Sequence, residues 1–423
     1  MIRFYNGRVL TMAEDMSISE DEVWVKDGAV AYVGPARPDA PGFDREIDLR
    51  GDLLMPGFKN AHTHTAMTFA RSYADDLPLQ DWLFGKVLPL EGKLTPEGTY
   101  ALTKLGILEY LSGGITAAFD MYYYRDAIAQ AAVDTGFRMV LCGGLSAGDD
   151  IGIGARDCER FNALHPRISY IPGLHSEYLA DEKLLGEMGE LIHGVKKPFF
   201  AHNSETAREV RECVERHGLT PTGVFEKYGL FDYGGGGFHC VHFTDADMEI
   251  FRRRGLWAVS CPGSNAKLAS GIAPIVEFQR RGIRLALGTD GSSSNNALNM
   301  FREMYLCTVL AKLREQDAAV CDGADVLAMA CRGGAGAMGL ADCDSIAVGK
   351  RADLVVMDLR EPNMQPEHNL VKNLVYSGSN RNVRLTMVDG KVLYEDGEYF
   401  VGESREDILR HAREATEKML AQN

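Results

Sequence analysis

The alternation of hydrophobic and polar residues separates two strand-rich ends from a long middle region. Residues 23–33 form two β-prone runs around an Asp-Gly pair, a pattern that predicts a hairpin with a tight turn. Residues 385–394 repeat this pattern, and an apolar run at 352–357 predicts a further strand close by. We therefore expect residues 1–53 and 346–400 to assemble into one small β-sandwich, with the rest of the chain inserted between them.

In the middle region, residues 54–345, short apolar runs alternate with helical stretches such as Pro96–Ser112 and Asp181–His193. The predicted strands are Leu54–His62, Thr116–Met121, Arg138–Gly143, Ser169–Leu174, Pro198–His202, Gly237–Val241, Leu256–Cys261 and Arg284–Asp290. Such repeats predict an α/β fold, a closed (β/α)8 TIM-like barrel, with a doubly wound open sheet as the alternative. Residues 401–423 carry apolar side chains at helical spacing and predict a docked C-terminal helix.

The composition limits the possible partners. The 423 residues include 45 basic and 60 acidic side chains, which give a net charge of −15. A nucleic acid or an anionic membrane surface requires clustered positive charge, so we predict neither as a partner. A neutral or zwitterionic small molecule is the more suitable substrate. No apolar run reaches the roughly 18 residues of a membrane-spanning helix.

Cysteine usage and the N-terminal residues bear on the location of the protein. The nine cysteines show no CxxC pair and no framework spacing, which is typical of reduced thiols in a cytoplasmic protein. Residues 1–7 contain polar interruptions and lack the apolar core of a signal peptide. We therefore expect a cytoplasmic protein.

Residues able to bind a metal follow several of the predicted strands. His62 and His64 end the first strand, His202 ends the fifth, and Asp290 ends the eighth. In a barrel the carboxyl ends of the strands meet at one rim, and three imidazoles with a carboxylate suit a divalent ion such as zinc. The His-x-His pair alone is weak evidence, and Asp290 alone could cap a turn. In combination these residues predict a metal site.

A second group of residues near this rim is suited to acid–base chemistry. Glu205 lies three residues after His202, and His239 lies in the sixth predicted strand. An acid and a base beside a metal-bound water are what a metal-dependent hydrolase requires. His242 competes with His239 for this role, but we expect His239 to face the barrel mouth. His175 ends the fourth strand, where it can contact a substrate.

Two glycine-rich segments are predicted to be loops. Residues 234–237 lack the Gly-Lys-Ser/Thr ending of a phosphate-binding loop. Residues 152–154, Gly-Ile-Gly, are predicted to form a loop as well.

Motifs along nearly the whole chain resemble those of the amidohydrolase superfamily, and in particular its deaminases of S-adenosylhomocysteine, 5′-methylthioadenosine and adenosine. The motifs are Met-Pro-Gly-Phe at 55–58, Leu-Gln-Asp-Trp-Leu at 79–83, His-Asn-Ser-Glu-Thr at 202–206, His-Cys-Val-His at 239–242, Ser-Asn at 264–265, Lys-Leu at 267–268, Ser-Gly-Ile-Ala-Pro at 270–274, Gly-Thr-Asp-Gly at 288–291 and Ala-Asp-Leu-Val at 352–355. The set is highly specific for the superfamily and less specific for the deaminase branch.

The resemblance implies one divalent metal ion, usually zinc, with iron or manganese as alternatives, bound by His62, His64, His202 and Asp290. Members with two metals use a carboxylated lysine on the fourth strand, and residues 169–174 contain no lysine. In the implied reaction Asp290 and His239 accept the proton of the attacking water. Glu205 donates a proton to the ring nitrogen beside the amino-bearing carbon.

The resemblance also implies substrate contacts from Trp82, Glu91, His175, Glu205 and His239. Among them, His175 is expected to contact the ring and Glu91 the ribose hydroxyls. Members that accept adenosylhomocysteine bind its carboxylate with arginines. Gly143 occupies one such position, and Arg156 is the candidate for the other. The loss of one cation favours adenosine, 5′-deoxyadenosine or 5′-methylthioadenosine as the substrate.

These observations predict a metal-dependent deaminase that hydrolyses an adenine nucleoside to the hypoxanthine nucleoside and ammonia. One alternative is an aminohydrolase or dechlorinase that acts on guanine, a pterin or a triazine. A more remote alternative is a non-catalytic relative that uses the barrel for binding or assembly. The resemblance further implies a homo-oligomer.

Overall fold

The computed structural model describes residues 1–77 and 79–421. The two ends of the chain contribute to two sheets with a shared apolar core. One sheet has the strand order Ala29–Gly34, Glu22–Lys26, Ile2–Tyr5 and Arg45–Asp48. The other has the order Glu398–Tyr399, Lys391–Glu395, Val383–Val388, Leu354–Met357, Leu53–Pro56, Arg8–Leu10 and Ile18–Ser19. Phe4, Val25, Val356 and Leu385 are among the buried residues between them.

Both predicted hairpins are confirmed. Glu22–Lys26 pairs antiparallel with Ala29–Gly34, and Val383–Val388 pairs in the same way with Lys391–Glu395. The Asp and the Gly at each turn have positive φ, with 51° and 80° in the first hairpin and 51° and 75° in the second. Glycine adopts this conformation without strain and aspartate tolerates it, which explains the two Asp-Gly pairs.

The middle of the chain forms parallel strands in two sheets. The first contains Phe58–Thr63, Ile115–Asp120, Arg138–Cys142 and Ile168–Ile171. The second contains Gly173–Ser176, Phe199–Asn203, Gly235–His239, Trp257–Ser260 and Arg284–Leu287. A parallel bridge between Leu145 and Leu174 joins the two sheets on one side. On the other side, the backbone N–H of Asp290 donates to the carbonyl of His62 at 2.9 Å.

Helices follow most of these strands. The α-helices are Leu79–Trp82, Leu88–Glu91, Pro96–Ser112, Arg125–Thr135, Ile151–Leu164, Glu182–Val195, Ala207–His217, Pro221–Lys227, Asp245–Arg254, Pro262–Lys267, Ile275–Arg280, Met300–Glu315, Gly323–Ala328, Gly334–Ala337, Leu370–Tyr376 and Arg405–Ala421. Short 3₁₀ helices lie at Thr65–Ala70, Glu177–Leu179, Pro362–Met364 and Asn380–Asn382, and π-helical turns at Leu83–Val87 and Met329–Gly333. The predicted helix Pro96–Ser112 is confirmed with the same bounds.

One predicted strand spans a boundary between sheets. The segment predicted as Leu54–His62 breaks at Gly57, because Leu53–Pro56 pairs with Leu354–Met357 in the seven-stranded sheet. Phe58–Thr63 begins the first parallel sheet instead. The continuous apolar run conceals this break, since both strands are buried on both sides.

A second predicted strand, Ser169–Leu174, is divided at Pro172. Proline has no N–H to donate to a neighbouring strand, so the hydrogen-bond ladder is interrupted there. The bounds of the remaining predicted strands lie within three residues of the observed ones.

The predictions of loops at the glycine-rich segments 234–237 and 152–154 are wrong. Gly235–His239 is a buried strand, and a Cβ at Gly235 would lie 1.9 Å from the carbonyl oxygen of Phe199. The glycines therefore permit close approach of neighbouring strands. Residues 152–154 form the first turn of helix Ile151–Leu164, which Asp150 caps by accepting from the N–H of Gly152.

The predicted C-terminal helix spans Arg405–Ala421 and contacts helix Pro96–Ser112, with Ile408, Ala412 and Met419 buried. Residues 422 and 423 of the predicted segment lie outside the described residues. Across residues 1–77 and 79–421, no helix is both long enough and apolar enough to cross a membrane.

A buried ion pair connects the first parallel sheet to the seven-stranded sheet. Nε of Arg138 donates to Oδ2 of Asp353 at 2.7 Å, and Nη2 donates to Oδ1 at 3.0 Å. Burial acts to raise the pKa of Asp353, but the Arg138 guanidinium outweighs it and holds the pKa below its usual value. The resulting stability is present above the usual value of 3.8 and is lost as the pH falls through the lowered value.

We expect Arg138→Met to lower the free energy of unfolding at pH 7 by about 3–5 kcal/mol, because it leaves a buried carboxylate without its partner. The matched control is Arg156→Met, which breaks an ion pair to Asp150 whose side chains are 66% and 63% exposed. We expect that change to cost less than about 1 kcal/mol. Urea unfolding followed by circular dichroism measures both, and equal losses would contradict this interpretation.

Candidate metal centre and active site

The four residues predicted as metal ligands lie together at the carboxyl ends of the parallel strands. The ligand atoms of His62, His64, His202 and Asp290 all lie within 4.8 Å of one another. Oδ1 of Asp290 is 3.2 Å from Nε2 of His64 and 3.5 Å from Nε2 of His62. All four side chains are buried. Three imidazole nitrogens and one carboxylate oxygen form a donor set that suits tetrahedral zinc.

Hydrogen bonds to backbone carbonyls fix the ring orientation of two of these histidines, His64 and His202. Nδ1 of His64 bonds to the carbonyl of Met121, and Nδ1 of His202 bonds to the carbonyl of His175 at 2.7 Å. A carbonyl only accepts, so both Nδ1 atoms carry a proton, and in the neutral rings the lone pair is on Nε2. Neither ring nitrogen of the buried His62 has a hydrogen-bond partner among the described residues. Buried polar atoms without a hydrogen-bond partner are uncommon, and a bound cation would satisfy one of these two nitrogens.

Asp290 is fixed as an ionised carboxylate. Oδ2 accepts from the hydroxyls of Ser264 at 2.6 Å and Ser294 at 2.7 Å, and Oδ1 accepts from the N–H of Gly291 at 2.8 Å. Burial acts to raise the pKa of Asp290, but the neighbouring histidines outweigh it and hold the pKa well below its usual value. Its φ of 60° is uncommon outside glycine and needs support from these contacts.

His239 lies beside this cluster with one ring nitrogen already occupied. Its Nδ1 donates to Oδ1 of Asn265 at 2.8 Å, so its Nε2 carries the lone pair. Burial acts to lower the pKa of His239, but the carboxylates of Glu205 and Asp290 outweigh it and raise the pKa. A buried imidazole with a fixed tautomer and a free lone pair is suited to accept a proton.

A second grouping of possible ligands shares His62 with the first. His62, His239 and Cys261 also have ligand atoms within 4.8 Å of one another. Burial raises the pKa of the Cys261 thiol well above its usual value, whereas a metal ligand has to be a thiolate. The cluster of three histidines and Asp290 is therefore the better candidate.

Glu205 follows strand Phe199–Asn203 in a tightly bonded segment. The N–H groups of Ser204 and Glu205 donate to the carboxylate of Glu209 at 3.0 Å and 2.8 Å. Oε1 of Glu205 accepts from the hydroxyl of Ser270 at 3.1 Å. The backbone and the side chain of Glu205 are thus both held, and its side chain lines the cavity above the metal cluster.

This cavity has a volume of about 340 Å³, which lies within the range of small-molecule sites. The predicted substrate contacts that line it are Trp82, Glu91, His175, Glu205 and His239. Apolar and aromatic residues form much of the remaining wall, including Leu83, Phe84, Leu88, Tyr123 and Tyr178. The metal ligands His64, His202 and Asp290 line the same cavity.

Burial shifts the pKa values of Glu91 and His175, two of the predicted substrate contacts that line the cavity. The hydroxyl of Tyr122 donates to Oε1 of Glu91, and burial raises the pKa of Glu91. Burial lowers the pKa of His175 to about 4, so its ring is neutral at pH 7. A neutral imidazole can contact an uncharged heterocycle without the desolvation cost of a charge.

The prediction that Arg156 contacts the substrate needs correction. Arg156 lies in helix Ile151–Leu164, its side chain is 66% exposed, and it pairs with Asp150 at 3.1 Å outside the cavity lining. The arginines that do line the cavity are Arg125, Arg208 and Arg216. Arg125 begins the helix that follows strand Ile115–Asp120, and a position in the loop region after a strand end is a signal that could have identified it from the sequence.

Sequence reasoning also missed the roles of Ser264, Asn265 and Ser270, which it quoted only as parts of motifs. They contact Asp290, His239 and Glu205 respectively. Their spacing from the strand end at Ser260 gives no hint of these partners, because the contacts depend on how the intervening helix Pro262–Lys267 packs.

Comparisons with known proteins agree with this geometry. Residues 53–393 match the amidohydrolase family. The chain is 37% identical over 404 residues to a 5-methylthioadenosine/S-adenosylhomocysteine deaminase of Thermoanaerobacter pseudethanolicus, covering 93% of each protein. It is 38% identical over 403 residues to the protein of the same description from Acetivibrio thermocellus, covering 93% of this chain and 94% of the relative.

Two solved structures are similar to this chain over nearly its whole length. The chain superposes with a TM-score of 0.94 on the crystal structure of an adenosine deaminase from Xanthomonas campestris with bound zinc, at 32% identity over 99% of this chain and 98% of that one. A triazine hydrolase, the atrazine chlorohydrolase of Arthrobacter aurescens, shares the fold with a TM-score of 0.90 at 22% identity, covering 98% of this chain and 100% of that one. From the family match and these relatives, the chain belongs to the amidohydrolase family.

Proposed function

We propose that this protein is a metal-dependent hydrolytic deaminase that converts an adenine nucleoside to the hypoxanthine nucleoside and ammonia. The observation that carries the proposal is the pair Glu205 and His239, which faces a nucleoside-sized cavity beside the metal cluster without belonging to its four ligands. Relatives at 37% and 38% identity named as deaminases of adenine nucleosides support the substrate class.

The donor set supports one divalent ion, zinc in preference to iron or manganese. When bound, the ion lowers the pKa of a coordinated water from 15.7 toward about 7. The orphaned ring nitrogens of His62 and the prepared lone pairs of His64 and His202 support its position.

The side chains of this chain divide the proton transfers between them. Nε2 of His239 and the carboxylate of Asp290 take the proton of the attacking water as its oxygen bonds to the amino-bearing carbon. Glu205 donates its proton to the adjacent ring nitrogen, so the electron pair displaced from the C=N bond is neutralised there. The proton held by His239 then passes to the amino group, the C–N bond breaks, and ammonia leaves. As the C=O bond of the product forms, the hydroxyl proton left on its oxygen returns to Glu205 and restores the acid.

Glu91 supports the choice of a nucleoside over a free base. Its buried carboxyl lies on the cavity wall, with Oε1 accepting from Tyr122 and Oε2 without a partner among the described residues. We expect Glu91→Gln to raise the KM for nucleosides by about 10-fold or more, because a hydrogen bond to a charged acceptor is worth about 1.5–3 kcal/mol. Steady-state kinetics at fixed metal content measure this effect, and an unchanged KM would remove the ribose contact from the proposal.

Arg125 supports a subsite for the carboxylate of a 5′ amino-acid group, as in S-adenosylhomocysteine. A Cβ at Gly143 would lie 2.6 Å from the backbone nitrogen of Gly173, so no cation can project from that position. Nε of Arg125 donates to Asp157 at 2.7 Å, and its two terminal amino groups have no partner among the described residues. Arg208 also pairs with a carboxylate through Nε, but its side chain is 55% exposed, whereas that of Arg125 is 15% exposed.

We therefore expect Arg125→Ala to raise the KM for S-adenosylhomocysteine by about 10-fold or more, since a carboxylate–guanidinium contact is charge-assisted. The KM for 5′-methylthioadenosine, which has no carboxylate, is expected to change by less than about 3-fold. Arg208→Ala serves as the control in the same cavity and is expected to alter neither value by more than that. Equal changes for the two substrates would exclude this subsite.

We also infer the architecture from these contacts. The bridge Leu145–Leu174 and the hydrogen bond from Asp290 to His62 support closure of the parallel strands into a (β/α)8 barrel. The terminal sheets, with their shared core, support a small β-sandwich. Pairing of Leu53–Pro56 in the seven-stranded sheet supports a boundary at Gly57. The homo-oligomer and the cytoplasmic location stay predictions.

A further inference from the structure

Ser270 lies in a short loop, residues 269–273, that passes beside Glu205. Its side chain is 7% exposed, and its hydroxyl donates to Oε1 of Glu205 at 3.1 Å. Glu205 is the only partner of this hydroxyl among the described residues. We infer that Ser270 is a positioning residue that fixes the carboxyl group of Glu205, so that the proton of this acid is presented on Oε2. The inference rests on the proposed function, in which Glu205 is the proton donor.

The hydroxyl of Ser270 makes the two oxygens of Glu205 unequal. Because Oε1 accepts the hydrogen bond, the neutral carboxyl group carries its own proton on the other oxygen. Oε2 has no hydrogen-bond partner among the described residues, and Glu205 lines the cavity. The donor atom therefore faces the substrate, and the carboxyl group does not have to rotate before it transfers the proton.

The backbone of Ser270 is held on both sides. Its N–H donates to the carbonyl of Asn265 at 2.9 Å, and its carbonyl accepts from Nε2 of His242 at 2.7 Å. The next residue, Gly271, has φ of 131°, and a Cβ there would lie 2.9 Å from Val241. The loop thus depends on glycine at 271, and His242 acts on Glu205 through Ser270.

The hydrogen bonds around Ser270 also connect Glu205, the proposed acid, to His239, the proposed base. Asn265, whose carbonyl accepts from the Ser270 N–H, also accepts from Nδ1 of His239 at 2.8 Å through its side chain. The N–H of His242 donates to the carbonyl of Ser204 at 2.9 Å, directly before Glu205. Glu205 and His239 are therefore positioned relative to one another by a continuous set of hydrogen bonds.

The test compares Ser270→Ala with Ser270→Thr in the zinc-loaded enzyme, with wild type assayed in parallel on the adenine nucleosides. We expect Ser270→Ala to lower kcat by about 10–100-fold, a part of the 10²–10⁴-fold that a general acid contributes. The KM is expected to stay within about 3-fold, and the bound zinc at the wild-type content, because Ser270 contacts neither ligand nor metal in this account. Ser270→Thr keeps the hydroxyl and is expected to recover kcat to within about 3-fold of wild type.

Of two further variants, the first controls for the loss of a serine hydroxyl elsewhere, and the second tests whether Ser270 acts through the position of its loop. Ser112→Ala removes a half-buried serine hydroxyl in helix Pro96–Ser112 and is expected to leave kcat and KM unchanged. Gly271→Ala displaces the loop without changing Ser270 and is expected to lower kcat in the same way as Ser270→Ala.

The outcomes separate this inference from the proposed function. A wild-type protein that binds zinc but releases no ammonia from any adenine nucleoside overturns the proposed function and the inference together. An active wild type with an equally active Ser270→Ala overturns the inference alone. The same holds if Ser270→Thr is as slow as Ser270→Ala at normal zinc content and KM, because the hydroxyl then has no part in positioning Glu205.

Discussion

Replacement of His202 by alanine is expected to abolish stoichiometric zinc binding and to lower deamination by about 10³-fold or more. His202 is buried, and the hydrogen bond from its Nδ1 to the carbonyl of His175 aims its Nε2 lone pair at the other three ligands. Loss of one of four ligands opens the site, and a bound metal supplies several kcal/mol of stabilisation to the transition state, which corresponds to about three orders of magnitude in rate.

Zinc content by atomic emission spectroscopy and kcat/KM in the same preparation measure this effect. The control is His193→Ala, since His193 pairs with Asp232 at 2.9 Å on the surface and its side chain is 50% exposed. That variant is expected to keep the wild-type zinc content and rate. Full zinc binding and activity in His202→Ala would show that the four-residue cluster is not the metal site.

The second large effect is expected for Glu205→Gln, with a loss of about 10²–10⁴-fold in kcat. The amide has nearly the same shape and can still accept from Ser270, but it has no acidic proton to give to the substrate ring. Because Glu205 is not one of the four ligands, zinc content should stay at the wild-type value. A variant that lost metal would indicate that Glu205 stabilises the centre instead.

The matched control for this change is Glu187→Gln on helix Glu182–Val195, where Glu187 lies 3.7 Å from Lys183 and outside the cavity lining. We expect it to retain the wild-type kcat. If Glu205→Gln also retained the wild-type kcat, Glu205 could not be the proton donor.

The sequence could predict those parts of the molecule that depend on local chemistry. Asp-Gly pairs need positive φ at a tight turn, so both hairpins followed from residue type alone. The candidate ligands were recognised because each stands at the end of an apolar run, and parallel strands bring such ends to one edge. The structure accordingly brings His62, His64, His202 and Asp290 within ligand distance of one another.

Features that depend on neighbouring elements could not be predicted in this way. The glycines at 235–237 resemble a loop in the sequence, but they allow adjacent strands to approach so closely that a Cβ at Gly236 would lie 2.1 Å from Trp257. The break at Gly57 is set by a strand nearly 300 residues away, Leu354–Met357. Arg156 is carried outward because its helix begins at Ile151, a boundary that the Gly-Ile-Gly segment concealed.

The contacts around the acid and the base were beyond prediction for the same reason. Ser270 and Asn265 meet Glu205 and His239 only after the helix Pro262–Lys267 folds back over the strand ends. Side-chain hydrogen bonds between distant segments leave no periodic signal in a single sequence.

The most direct test of the proposed function is ammonia release by the zinc-loaded wild-type protein. The substrates are adenosine, 5′-deoxyadenosine, 5′-methylthioadenosine, S-adenosylhomocysteine, adenine and guanine, with metal content measured in the same sample. We predict turnover of at least one adenine nucleoside and much slower release from the two free bases, because Glu91 has no ribose to bind in them. Ammonia from guanine alone, or none from any nucleoside while zinc is bound, would contradict the account.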